Sequence, residues 1–156
     1  MGMANTDWSW EGNISRVVMR HLESRGWVIE SVADTTARQP GPDIRARKAE
    51  QLMVVEVKGY PSTVYQRGPN KGKPKPTNPP TQARHWFAEA LFTALLRRAD
   101  HPAHKVAMAF PEFAVYANLL RRLHQDLVLL GLTVFLVRKS GEVVVSIAEQ
   151  GLASHL

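Results

Sequence analysis

The spacing of apolar and polar positions predicts an alternation of helices and strands along the chain. Ile14, Val17, Val18 and Leu22, with Met19 less regular, recur at helical spacing. They predict a helix that Asp7 or Ser9 could cap, that runs to about Arg25, and that Gly26 stops. Residues 1–6 are expected to be a loose end. Trp27-Val28-Ile29 reads as a strand, followed by a polar, turn-rich stretch over 30–41. Strands over 43–47 and 52–58, joined by the tight Lys48-Ala49-Glu50-Gln51 turn, form an antiparallel hairpin. Residues 61–80 are rich in proline and glycine and nearly free of apolar residues, so no regular element is expected there. Thr81 is the predicted cap of a helix running to about Ala99, with Trp86, Phe87, Ala90, Leu91, Ala94 and Leu95 as its buried stripe. A strand over 106–110 follows, then a helix opened by Pro111-Glu112 and ended by Gly131. Strands over 132–137 and 142–147 close the pattern around a Ser140-Gly141 turn. The expected order is α-β-β-β-α-β-α-β-β, an α/β fold with a mixed sheet flanked by helices.

Composition narrows the class. At 156 residues with 44% hydrophobic content, one globular domain spanning the chain is expected. No apolar run is long enough to span a membrane and nothing in the first ten residues reads as a signal segment, so a cytoplasmic location is the expectation. Cysteine is absent, which excludes disulfides, thiolate catalysis and cysteine-bound zinc. A net charge of +6 favours a polyanionic partner such as DNA or RNA. Four of the basic residues, Arg67, Lys71, Lys73 and Lys75, fall in the 61–80 loop, well placed to touch a phosphate backbone. The alternative is a solvated insertion with no binding role.

Candidate chemistry lies in the hairpin. The strand over 52–58 is apolar and β-branched until it delivers Glu56 and Lys58 to one face, with Val55 and Val57 on the other. The hairpin brings Asp43 near both across the ladder. Two neighbouring carboxylates repel unless a cation lies between them, and hard oxygen ligands suit Mg²⁺ or Mn²⁺. Asp43 and Glu56 are therefore candidate metal ligands with Lys58 beside them. The alternative is a salt bridge from either carboxylate to Lys58 or an arginine, with Lys58 a solvated strand-end lysine.

At these residues, Pro42-Asp43 and Glu56-Val57-Lys58, the chain resembles the PD-(D/E)XK nuclease superfamily of the restriction-endonuclease-like fold, over roughly residues 8–138. The predicted element order also matches that family's αβββαβ core, with an added C-terminal helix and strands. The resemblance implies a metal-dependent nuclease in which Asp43, Glu56 and the Val57 backbone carbonyl hold the ion. Lys58 would hold or help deprotonate the attacking water, or stabilise charge on the phosphate. It implies a third carboxylate on the first helix. Glu11 lies on the same helical face as Ile14, Ser15, Val18 and Leu22, whereas Glu23 sits at the far end. First-turn stabilisation of the helix is the other account of Glu11. The resemblance carries over Gln82, at the start of the helix after the basic loop, as a residue contacting the site; Arg84 and His85 beside it could reach phosphates. Tyr60 and the four tryptophans are expected to pack, and Arg97-Arg98 and Arg121-Arg122 to be solvated helix faces. The implied substrate is DNA rather than RNA, taken structure-selectively or under guidance, by a homodimer or as part of a larger nuclease complex. An idle nucleic-acid-binding module of the same fold is the alternative.

Overall fold

The computed structural model describes residues 7–34 and 40–148. The expected loose end over 1–6 and the middle of the polar stretch, 35–39, lie outside the described residues. Elements follow the order that the pattern predicts: α1 (Glu11–Glu23), β1 (Val28–Val32), β2 (Ile44–Lys48), β3 (Gln51–Val57), α2 (Pro79–Asp100), β4 (Lys105–Pro111), α3 (Ala114–Leu129), β5 (Leu132–Val137) and β6 (Val143–Ile147). The described strands form a six-stranded sheet in the order β1-β2-β3-β4-β5-β6. The β1-β2-β3 part is antiparallel, β3-β4-β5 is parallel, and β6 returns antiparallel to β5. Each parallel step needs a crossover, which α2 and α3 supply.

Helices cover both faces. Ile14, Val18 and Leu22 of α1 pack on Ile44, Ala46, Val55, Val57, Ala109 and Phe135. On the opposite face, Phe87, Ala90 and Ala94 of α2 and Tyr116, Leu120 and Leu127 of α3 pack on Val54, Met108, Phe110 and Val134. With two apolar layers to fill, β4 and β5 are buried along almost their whole length. Adjacent residues on β3 face different layers: Val55 and Val57 meet α1, whereas Val54 meets α2. The same alternation sends Glu56 and Lys58 toward α2.

Several boundaries differ from expectation, each for a local reason. Neither Asp7 nor Ser9 caps α1. The N-cap is Trp10 without a side-chain bond, while Asp7 Oδ1 accepts from the Ser9 N–H at 2.9 Å and hydroxyl at 2.8 Å. Strand β1 continues through Ser31 and Val32, because a bulge at Glu30 lets this polar segment stay paired with β2. Asn78, not Thr81, caps α2, its side chain accepting from the Thr81 N–H, so that Pro79 and Pro80 occupy the first turn, where no N–H is needed. Within the predicted stripe of α2, Trp86, Leu91 and Leu95 are only half-buried. Pro111 is the last residue of β4 rather than the first of a helix, and α3 starts after Phe113. Gly26 (φ 84) and Gly131 (φ 68) take the left-handed conformation past α1 and α3, as predicted stops should.

No helix or strand forms between β3 and α2, as expected, yet the segment folds back on itself. Val64 bridges Pro74, Tyr65 N–H donates to the Lys73 carbonyl, and Lys75 N–H to the Thr63 carbonyl, making a narrow antiparallel arm turned at Gly68–Lys71. Its proline and glycine content hides this from a hydrophobic pattern, since few side chains are buried. Among the described residues, no helix is long and apolar enough to cross a membrane.

Candidate active site

The hairpin register brings the predicted carboxylates together. Ile44 pairs with Val55, so the next position along the ladder sets Asp43 opposite Glu56. The ladder stops there because Pro42 cannot extend it. The Asp43 side chain takes over as acceptor: its Oδ2 receives the Val57 N–H at 2.6 Å. What Val57 offers Asp43 is thus its amide. The Asp43 and Glu56 carboxyls are close enough that the Asp43 charge helps to raise Glu56. Two ionised carboxylates so placed repel, which a proton or a nearby cation relieves.

Two cations come from opposite directions. Lys58, just past β3, points toward α2, where its Nζ donates to Glu89 Oε1 at 3.2 Å. Arg97, about two turns further along α2, places Nε 2.6 Å from Glu56 Oε1. The salt bridge weighed as the alternative for Glu56 is therefore formed, with an arginine. Arg97 was expected to be a solvated helix-end residue, but its guanidinium faces the site because α2 lies across β3. Arg98 is not a solvated face either: it donates to the Leu130 and His104 carbonyls and ties α2 to the end of α3.

Glu11 joins from the other layer. The chain after Lys58 runs directly under the start of α1, where Tyr60 N–H donates to the Ser9 carbonyl at 3.0 Å. Gly59 permits this approach: a Cβ there would lie 2.6 Å from the Ser9 carbonyl oxygen and 2.7 Å from the Glu11 nitrogen. The Tyr116 hydroxyl, buried, donates to the Gly59 carbonyl at 2.8 Å and fixes the strap from below. Tyr60 packs as expected, stacked on Phe113 with ring centroids 3.8 Å apart.

Electrostatics register the crowding. Burial pushes the Glu11 carboxyl up to about 7, reinforced by the charges of Asp43, Glu56 and Glu89 and opposed by Lys58. Burial also raises Asp43, against the Val57 N–H, Lys58 and Arg97. Glu56 is raised by burial and by Asp43, with Arg97 pulling the other way. Four carboxylates thus face two cations in a chain whose overall balance is strongly positive.

No protein-family model, curated protein or solved structure matches this chain.

The donor set itself fits a hard divalent cation. Asp43 and Glu56 offer neighbouring carboxylates whose ionised forms repel, the situation an Mg²⁺ or Mn²⁺ ion relieves. Glu11 contributes charge from close by. Among the described residues, however, no three His, Cys, Asp or Glu side chains stand together as a ready ligand set. Gln82 is not drawn into this cluster: its Oε1 accepts from the Thr77 hydroxyl at 3.4 Å, at the mouth of α2. Arg84 is exposed, as are Arg67, Lys71 and Lys73 on the arm, while Lys75 lies over the Tyr65 ring at 5.8 Å. Glu89, Arg97 and Gly59 are the site residues that sequence reasoning missed. Gly59 had a signal, as a glycine directly following the Glu-x-Lys strand end.

Proposed function

We propose that the chain is a divalent-metal-dependent nuclease of the PD-(D/E)XK superfamily that hydrolyses phosphodiester bonds, DNA before RNA. The observation that carries this is the hairpin register, which sets Asp43 opposite Glu56 at the end of a buried strand, beside Lys58. The element order supports the same reading, since α1 through β4 follows the αβββαβ order of the restriction-endonuclease-like core.

Asp43 and Glu56 would hold the ion, with Glu11 at hand as a further carboxylate. When bound, such an ion polarises the scissile phosphate and lowers the pKa of a water. Lys58 keeps its ammonium within the site through Glu89, where it can stabilise charge on a phosphate oxygen. Glu11, poised near neutrality, can take up a proton there. Arg97 holds the Glu56 carboxylate in one orientation. The exposed cations of the 61–80 arm supply phosphate contacts.

A second reading is favoured by one observation: both Glu56 and Lys58 are engaged by α2 partners, as in a purely structural ion-pair network. The protein would then be an idle nucleic-acid-binding module. Cleavage of single-stranded, duplex and branched DNA with Mg²⁺ or Mn²⁺ separates the two. Metal-dependent cutting that vanishes in Asp43→Ala and Lys58→Ala supports the nuclease. Binding without cutting, equal in wild type and both variants, supports the idle module.

A further inference from the structure

A basic groove lies at the same edge of the sheet as the carboxylate cluster. It has a volume of about 220 Å³ and is walled by Asn13, Arg16 and Arg20 of α1, by Arg138 and Lys139 past β5, and by Trp8. No carboxylate lines it. Arg16 is held in position by its own helix, donating from Nε to the Gly12 carbonyl and from a terminal nitrogen to Asn13 Oδ1 at 2.6 Å. Arg138 is shared with Glu112 and Glu142 outside the lining. Arg20 and Lys139 are exposed and have no ion-pair partner among the described residues. Side-chain cations gathered in a concave wall, only Arg138 of them paired with carboxylates among the described residues, form a site for an anion with several oxygens.

The groove's position ties it to the cluster. Strands β3, β4 and β5 are parallel, so Lys58 and Arg138 leave the sheet at one edge. Trp8, in the groove wall, stacks on Phe113 with centroids 5.4 Å apart, and Phe113 stacks on Tyr60, two residues past Lys58. This aromatic row bridges the two features without a charged break. Two strand spacings amount to about 10 Å, a separation that one nucleic-acid strand covers within a few nucleotides.

We propose that this groove binds the DNA phosphate backbone a few nucleotides from the bond that is cut. The inference rests on the proposed function for its substrate. Phosphate contacts of this kind position a strand without reading its sequence. The groove sets where the scissile phosphate falls relative to Lys58, and so selects the strand that runs along this edge.

The test compares wild type, R20E/K139E and, as a control of equal charge change on α3, R121E/R122E. Binding of labelled single-stranded and duplex DNA is followed by fluorescence anisotropy in EDTA across a salt series, with thermal melts to confirm folding. The groove predicts a loss of about tenfold or more in affinity for R20E/K139E at low salt, and a salt dependence shallower by about 1.5 in log–log slope for two lost contacts. The control variant should stay close to wild type. Equal affinity of R20E/K139E and wild type overturns the proposal, as does equal loss in the two variants, or wild type that binds only RNA or no nucleic acid. Cleavage by the same proteins and by Asp43→Ala keeps the two proposals apart. Binding lost in R20E/K139E with no protein cutting leaves the groove standing and removes the nuclease. Metal-dependent cutting with unchanged binding in R20E/K139E does the reverse.

Discussion

Arg97 and Glu56, far apart in sequence, meet with Nε 2.6 Å from Oε1 and join the last turn of α2 to the buried end of β3. Glu56 is only 8% exposed, so removing its partner leaves a carboxylate beside Asp43 with little solvent to screen it. Arg97→Met should lower stability by about 2 kcal/mol in EDTA at neutral pH, measured by urea unfolding. If Asp43 and Glu56 hold a metal ion, added Mg²⁺ should recover part of that loss.

The contact between Gly59 and the start of α1 leaves no room for a side chain. Gly59→Ala should cost about 1–3 kcal/mol and move Glu11 away from Asp43. Under the proposed function, metal-dependent cleavage falls by more than the melting point alone explains, because the displaced helix start takes its carboxylate with it. Cleavage rates measured well below the melting temperature check this.

Tyr116→Phe removes the donor to the Gly59 carbonyl and leaves that oxygen buried without its partner. A loss of about 1–2 kcal/mol is expected, with the fold retained. The readout is the denaturation midpoint, together with faster amide exchange at Gly59 and Tyr60.

The acidic cluster sets a pH dependence of stability. Burial pushes the Glu11 carboxyl up to about 7 from its ordinary 4.5. A carboxyl raised on folding favours the protonated form, so its contribution is complete below about pH 4.5 and is lost as pH rises through about 7. Asp43 and Glu56 shift in the same direction. In EDTA the protein should therefore lose stability between about pH 5 and 8, with Glu11 accounting for about 2 kcal/mol. Glu11→Gln should flatten that part of the profile and be the more stable protein at pH 8, as thermal melts across pH would show.

How much of this could be read from the chain depends on the range of the interaction. The β2–β3 hairpin is local, and its tight turn fixes the register that sets Asp43 opposite Glu56. The inward face of α1 follows from the spacing of Ile14, Val18 and Leu22, and it carried Glu11 to the correct side. Arg97 and Glu89 were illegible because their roles depend on how α2 crosses the sheet. In sequence, Arg97 reads as a cation completing a helix end. The fold-back of Thr63–Lys75 is not legible in the pattern because its pairing is made of backbone bonds, which leave no apolar signature. Pro111 misled because proline suits both a helix start and a strand terminus, and here the strand prevailed.

The sheet's strand order copies the chain order from β1 to β6. A ribosome releasing the chain from its N-terminus would therefore deliver each strand beside one that is already present. Glu11, Asp43, Glu56, Lys58, Glu89 and Arg97 all emerge before β4 begins. The acidic cluster must then wait for β4 to seal its floor, since the Lys58 N–H closes on the Ala109 carbonyl only when that strand arrives. During synthesis, carboxylates that repel one another when ionised would be assembled while half the sheet is still missing; under the proposed function, a divalent cation present at that stage would help the chain fold.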